Sequence, residues 1–490
     1  MKRQLRMAPP CTLGYLLLAI TAGASVTSAL ADSCTFTPEC DYARGSRDSG
    51  PATTQEACCT LCQNRSGCAA GVFDGTKCWF KTAQDVKGGC KTSARVKASC
   101  VPKGIRPGPS PPPGPGPSPG PSPPGPAKPI VPPSPAPKCA PGSNPVQVFI
   151  LMGQSNMLGE GHIGNLSKPT PGTLASAVLN GSYSYLYDKT TKNWTTSKTV
   201  RNVFIMNTGG PISPYPDKIM TDEWMMGPNR RGSIGPELGI GGMLEGANPT
   251  TPYMMLKSCI GDRALGWDLL PPGTKRSNFT QANGDVTSYA GYHDSPMSWA
   301  ANKPKPPEMG WYAGEQYDGD ISRANEVLAN LSWWYPSTPP KTCYEVAGFF
   351  WWQGDKDSRD IGLSTHYEQN LVALIKQLRV QYDAPNAKFV TATLGQTVMP
   401  NVTSSGAGEA QASRPGTPGG TLILEAMLNV ANGTKYPAFK GNVAAIYTHP
   451  LMDGGGSSSS HYGGNPKTYM NVGEAMGTAM VKMLIADQFK

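Results

Sequence analysis

The first long apolar run after the proline-rich stretch, Val146-Gln-Val-Phe-Ile-Leu151, leads directly into the turn Gly153-Gln154-Ser155-Asn156-Met157. A turn at the carboxyl end of a buried strand presents its serine where α/β sheets bind ligands. A serine hydroxyl is a weak nucleophile and needs a base. Among five histidines, His461 stands in Ser460-His461-Tyr462-Gly-Gly, after the last apolar run and before a terminal helical pattern, so it is expected at the same sheet edge as Ser155. His162, His293, His366 and His449 have no such matched placement. Acyl transfer through a serine also needs donors aimed at the developing oxyanion, worth about 3–4 kcal/mol apiece. Two turns offer them. One is Ser233-Ile-Gly235-Pro236-Glu237, where a glycine permits close backbone approach; the other is Trp351-Trp352-Gln353-Gly354-Asp355, where Gln353 carries an amide.

These residues need a rigid frame, and the apolar pattern supplies one. Besides Val146–Leu151, near-continuous hydrophobic runs occur at Tyr253–Ser258, Val346–Trp351, Lys388–Leu394 and Val443–Tyr447. Such runs read as strands buried on both faces, the mark of parallel sheets. Tyr367–Tyr382 places Leu371, Leu374, Ile375 and Leu378 on one helical face, and Tyr469–Phe489 ends the chain in a similar pattern. The expectation is an α/β three-layer sandwich with a five-stranded parallel sheet over residues 146–490.

The rest of the chain is of a different kind. Gly (57) and Pro (49) make up more than a fifth of the 490 residues, against roughly 12% in an average protein. Residues 1–31 read as a secretory signal: Lys2, Arg3 and Arg6, an apolar run from Leu13 to Ala22, and Ala29-Leu30-Ala31 as the cleavage site. Outside them no stretch is long and apolar enough for a membrane span. Nine of the 13 cysteines lie between Cys34 and Cys100, which in an exported segment implies a disulfide framework. Residues 32–100 are therefore expected to form a small disulfide-rich α+β module, with Cys58 and Cys62 on one face of a helix. Residues 101–145, rich in Pro-Ser and Pro-Gly, read as a polyproline II spacer. Sequons at Asn64, Asn165, Asn180, Asn193, Asn278, Asn330, Asn401 and Asn432 suit a secreted glycoprotein of the extracellular space or cell wall. The net charge of +9 is scattered and contains no basic run interleaved with aromatics, which argues against nucleic acid as a partner.

The segments Phe149-Ile-Leu-Met-Gly-Gln-Ser-Asn-Met157, Gly235-Pro236-Glu237-Leu238, Gly348-Phe-Phe-Trp-Trp-Gln-Gly-Asp355 and His461-Tyr462 together resemble the SGNH superfamily of esterases. Within it they are similar to the carbohydrate acetylesterase and sialate O-acetylesterase-like branch. The resemblance implies a flavodoxin-like sheet, Ser155 as nucleophile, His461 as base, and an oxyanion hole of the Ser155 amide, the Gly235 amide and the Gln353 side chain. It implies an acetylated polysaccharide or glycan as substrate and no metal or organic cofactor. The Cys-rich segment resembles the PAN/apple modules, which bind carbohydrate or protein, so a cell-wall glycan or protein is its expected partner. Relatives carry an aspartate three residues before the histidine; here that residue is Ser458. Asp453, folding back through the Gly/Ser-rich loop, Asp355, and a Ser-His dyad without an acid all remain open as the third element. Asp268, Asp355 and Asp357 do not have the spacing of a familiar metal loop. Trp267, Trp311, Tyr312, Trp351 and Trp352 are candidates for stacking on sugar rings as well as for the core. Cys259 and Cys343 are left either paired with each other or free. The competing class is a catalytically inactive glycan-binding or structural protein of the extracellular matrix, built on an esterase scaffold.

Overall fold

The computed structural model describes residues 34–102 apart from 39, 43–48, 64–67, 82–85, 87–90 and 93–95, then Cys139, then 143–487 apart from 212, 214–216, 342, 400–418 and 455–456. The expected signal at 1–31, nearly all of the expected spacer and the Asn64 and Asn401 sequons lie outside the described residues. The chain divides into two compact units between Pro119 and Gly120.

In the first unit, five short strands form an antiparallel sheet in the order Cys34–Pro38, Ala98–Pro102, Ala70–Phe73, Lys77–Lys81, Ser49–Pro51. The helix Gln55–Gln63 packs on it. Cys58 is bonded to Cys78 and Cys62 to Cys68, so the two cysteines expected on one helical face do serve as staples. The core beneath is largely sulfur and ring: Cys58, Cys59, Cys62, Cys68, Phe73, Cys78, Phe80 and Cys100. So small a core needs cross-links to be stable.

The second unit is built on a seven-stranded sheet. Its strands are β1 (Val146–Gly153), β2 (Thr196–Met206), β3 (Lys218–Met226), β4 (Tyr253–Lys257), β5 (Tyr344–Trp352), β6 (Lys388–Ala392) and β7 (Val443–Ile446). The spatial order is β3-β2-β4-β1-β5-β6-β7. All neighbours run parallel except β2 and β3. All five expected strands are present, and the sheet extends beyond them by β2 and the antiparallel edge strand β3. These two carry Arg201, Asn202, Asp222 and Glu223, which break the apolar run that marks the others. Arg201 is nevertheless buried, because it pairs with Asp222 and donates to the carbonyl of Trp334.

Helices cover both faces. One face is packed by α3 (Glu315–Ala329), α4 (Ile361–Gln381) and α5 (Gly420–Val430), through Tyr317, Ile321, Leu371, Leu374, Ile375, Ile423 and Met427. The other is packed by α2 (Glu237–Ala247) and α6 (Pro466–Asp487), through Leu238, Ile240, Leu244, Met470, Met476 and Met480. The result is the expected three-layer α/β sandwich. Between β4 and α3 the chain adds a three-stranded antiparallel lobe of Ser277–Thr280, Val286–Tyr289 and Ser298–Ala300. A disulfide joins Cys139 to Cys343 at the amino ends of β1 and β5. Cys343 thus pairs with a cysteine of the expected spacer, and Cys259 is a free, buried thiol. Among the described residues no helix is long and apolar enough to cross a membrane.

Candidate active site

Strand β1 lies in the middle of the sheet, and its carboxyl end turns into α1 (Ser155–Leu158). Gly153 makes the turn possible: it has φ +147°, and a Cβ there would stand 2.5 Å from the carbonyl oxygen of Trp352. Only glycine fits so close a crossing. Ser155 begins the helix and is 7% exposed. A Cβ on Gly261, beyond β4, would sit 3.5 Å from that of Ser155 and meet nothing else within 4 Å, so the space before the serine is open on that side. Gln154 joins this turn to the one after β5, its Oε1 accepting the N–H groups of Gly354 (3.3 Å) and Lys356 (3.2 Å).

His461 lies in the irregular 3-10 segment Ser458–Gly464, where His461, Tyr462, Gly463 and Gly464 all take positive φ. A left-handed non-glycine residue costs of order 1 kcal/mol and persists only where its surroundings hold it. Here they do. Ser458 Oγ donates to Asn156 Oδ1 at 2.8 Å, and Ser458 N–H donates to Gln396 Oε1 at 3.1 Å. The buried Tyr462 ring stacks on Trp352 with centroids 5.6 Å apart, and Tyr469 donates to the His461 carbonyl. The serine turn and the histidine turn are therefore fastened to one another at the expected sheet edge. Among the described residues the His461 ring makes no hydrogen bond, and Ser155 Oγ has no recorded partner. Such bonds often tighten only with substrate present.

Three of the expected site groups have hydrogen-bond partners of their own. The Asp453 carboxylate accepts from Asn465 Nδ2 at 3.0 Å and lies 3.7 Å from Lys467 Nζ, near the start of α6. The Gly235 N–H is not free to meet an oxyanion, because it donates to Glu237 Oε1 at 3.0 Å. The Gln353 amide is equally committed: its Nε2 donates to the Arg263 carbonyl at 2.8 Å and to Asp357 Oδ2 at 2.5 Å, while its Oε1 accepts from Tyr367 at 2.9 Å. Asp355, the other acid considered, is paired with Arg359. A carboxylate does meet an imidazole elsewhere, where His293 Nε2 lies 3.0 Å from Asp318 Oδ2.

Two fully buried acids stiffen the floor of the site. Asp357 takes the N–H groups of Leu265 and Gly266, each at 2.8 Å, in addition to Gln353. Asp320 takes Ser258 Oγ and Gln316 Nε2, each at 2.8 Å. Burial disfavours the charged form and pushes each carboxyl up to about 6. Of the aromatics, Trp351 and Trp352 are core residues with 0% exposure, their N–H groups bonded to Tyr367 and to the Thr393 carbonyl. Trp311 lies under the Arg263 guanidinium at 5.1 Å. Sequence reasoning gave no role to Lys257, Arg231 or the hydroxyl of Ser458, although Lys257 and Glu237 stood in the very motifs it singled out. Among the described residues no group of three or more His, Cys, Asp or Glu is placed to hold a metal ion.

Residues 297–416 match the family model SASA, described as carbohydrate esterase, sialic acid-specific acetylesterase. The match spans about a quarter of the chain. The matched stretch contains Gln353, Asp355 and Asp357, and Ser155 and His461 fall outside it. Among solved structures, one of a protein from Arabidopsis thaliana is similar at 14% identity and TM-score 0.35, over 69% of this chain and 98% of that one. A carbohydrate acetylesterase from Xanthomonas citri is similar at 13% identity and TM-score 0.35, over 68% of this chain and 55% of that one. NanS is similar at 12% identity and TM-score 0.30, over 62% and 79%. No curated protein matches the chain significantly.

Proposed function

We propose that residues 146–490 form an extracellular carbohydrate O-acetylesterase that hydrolyses acetyl esters on glycans through Ser155 and His461. The observation that carries this reading is the joining of the two turns by Ser458 and Asn156, in a chain whose residues 297–416 match the SASA family model. His461 takes the Ser155 proton, and Oγ attacks the acetyl carbonyl. The oxyanion is met by the Ser155 N–H, which as the first amide of α1 has no intrahelical acceptor. As the tetrahedral intermediate collapses, the sugar oxygen leaves with the imidazolium proton. Water, deprotonated by His461, then attacks the acyl-enzyme, and the second tetrahedral intermediate collapses to acetate as the imidazolium returns the proton to Ser155 Oγ. With Asp453 and Asp355 both engaged elsewhere, the reading is of a Ser-His dyad.

Gln353 and Gly235 shape the site in this scheme, since their donors are already spent on Asp357, Arg263 and Glu237. Residues 1–31 direct export, 101–145 form a spacer, and 32–100 attach the enzyme to wall carbohydrate or protein. The disulfides support an oxidising compartment. The test is hydrolysis of 4-nitrophenyl acetate and of an acetylated polysaccharide by the full chain, beside Ser155→Ala. A rate lost in the variant is expected, while equal rates would leave the inactive glycan-binding reading. Pull-down of residues 32–100 on isolated wall polysaccharide tests the attachment.

A further inference from the structure

Helix α1 has only four residues, too few to be stable alone. Whatever holds its far end also sets where Ser155 stands. Lys257, the last residue of β4, extends beneath the helix, and its ammonium donates to the carbonyl of Met157 at 3.0 Å and that of Leu158 at 3.2 Å. Its third hydrogen goes to Glu237 Oε2 at 2.6 Å, which saturates the group. Arg231 donates to the carbonyls of Leu158 and Gly159 and pairs with Glu160. Cations at these carbonyls also suit the negative end of the helix dipole.

The counter-charge does a second job. Glu237 Oε1 accepts the Gly235 N–H, and a Cβ on Gly159 would come 2.1 Å from the Gly235 Cα. One carboxylate therefore fixes both the ammonium under α1 and the backbone that closes over its end. The side chains of Lys257 and Glu237 are 2% and 5% exposed, and the ammonium also lies 5.1 Å from the Phe204 ring. Replacing such a buried pair by apolar residues is often neutral or stabilising, whereas removing one member alone is costly. A pair retained only for stability and a pair retained for position are thus separable by experiment.

We propose that Lys257 is a positioning residue for Ser155, with Glu237 as the counter-charge that holds both Lys257 and the Gly235 backbone. This rests on the esterase reading above. The experiment uses the full chain, with Ser155→Ala, Lys257→Met/Glu237→Leu and Lys257→Gln as variants. It records thermal stability, kcat and KM for 4-nitrophenyl acetate, and hydrogen exchange of the peptide spanning 153–160. For the double variant the expected result is a melting temperature near the parent's, KM little changed, kcat reduced about 100-fold by the misplaced nucleophile, and faster exchange at 153–160 only. A folded double variant with parental kcat and parental exchange would overturn the proposal. If the double variant does not fold, Lys257→Gln is read by the same two outcomes. If the parent is no faster than Ser155→Ala, the esterase reading has failed, and the exchange of 153–160 alone decides the positioning role.

Discussion

Asp357 is the acid whose titration bears most directly on the frame of the site. It is fully buried between the turn after β5 and the Leu265-Gly266 backbone. Burial raises its carboxyl from 3.8 to about 6, against the lowering effect of the Gly266 N–H, the Gln353 amide and the Leu265 N–H; the charge of Asp268 adds to the rise. That shift is worth about 3 kcal/mol at about 1.4 kcal/mol per unit. The sign follows from proton counting. Between 3.8 and about 6 the native state binds the proton more firmly than the unfolded chain does, so this group's contribution is fully present below 3.8 and is lost as pH rises through about 6. Asp357→Asn abolishes the titration and leaves Asp320, which titrates in the same range, to cancel between the two proteins. Urea unfolding of parent and variant at several pH values between 4 and 7 gives the difference in stability. It is expected to move by about 2.4 kcal/mol in the variant's favour across that span, most of the full linkage, on top of a pH-independent loss from the acceptor that asparagine lacks. A difference that does not change with pH would refute the reasoning, and would mean that the three donors hold the carboxylate ionised throughout.

Two further predictions follow from geometry. Cys139→Ser/Cys343→Ser opens a loop spanning 204 residues and is expected to cost about 5 kcal/mol of stability on the chain-entropy account, read from the urea midpoint without reductant; an unchanged midpoint would contradict it. Gly261→Leu puts a side chain into the open space 3.5 Å from the Ser155 Cβ, so 4-nitrophenyl acetate hydrolysis should fall at least tenfold with an unchanged melting temperature, and a parental rate would place the substrate on another side of the serine.

The five parallel strands are legible because burial on both faces leaves few polar positions to confuse the pattern. Strands β2 and β3 are hidden because Arg201 is neutralised by Asp222, a residue of the neighbouring strand, and no local pattern announces a partner 21 positions away. The Ser155 turn is legible from its place after β1, and His461 from its place before α6. What sequence reasoning missed is that a donor can be present and already engaged. Gly235 and Glu237 are two residues apart, and Gln353 and Asp357 four, so each of these two candidate donors has its acceptor within four residues along the chain. Spacing alone contained that signal. The place of Asp453 was not legible in the same way, because a Gly/Ser-rich loop fixes no direction and only the side chains at the start of α6 decide where the carboxylate lies.

The Cys139–Cys343 bond joins the chain ahead of β1 to the residue before β5, where Val146 and Tyr344 pair in register. Tension arriving along the polypeptide from the amino-terminal side is therefore delivered to two central strands at once, at the end of the sheet remote from Ser155. An anchored molecule tugged by its surroundings would carry the load through its base, and the edge that holds Ser155 and His461 would stay slack.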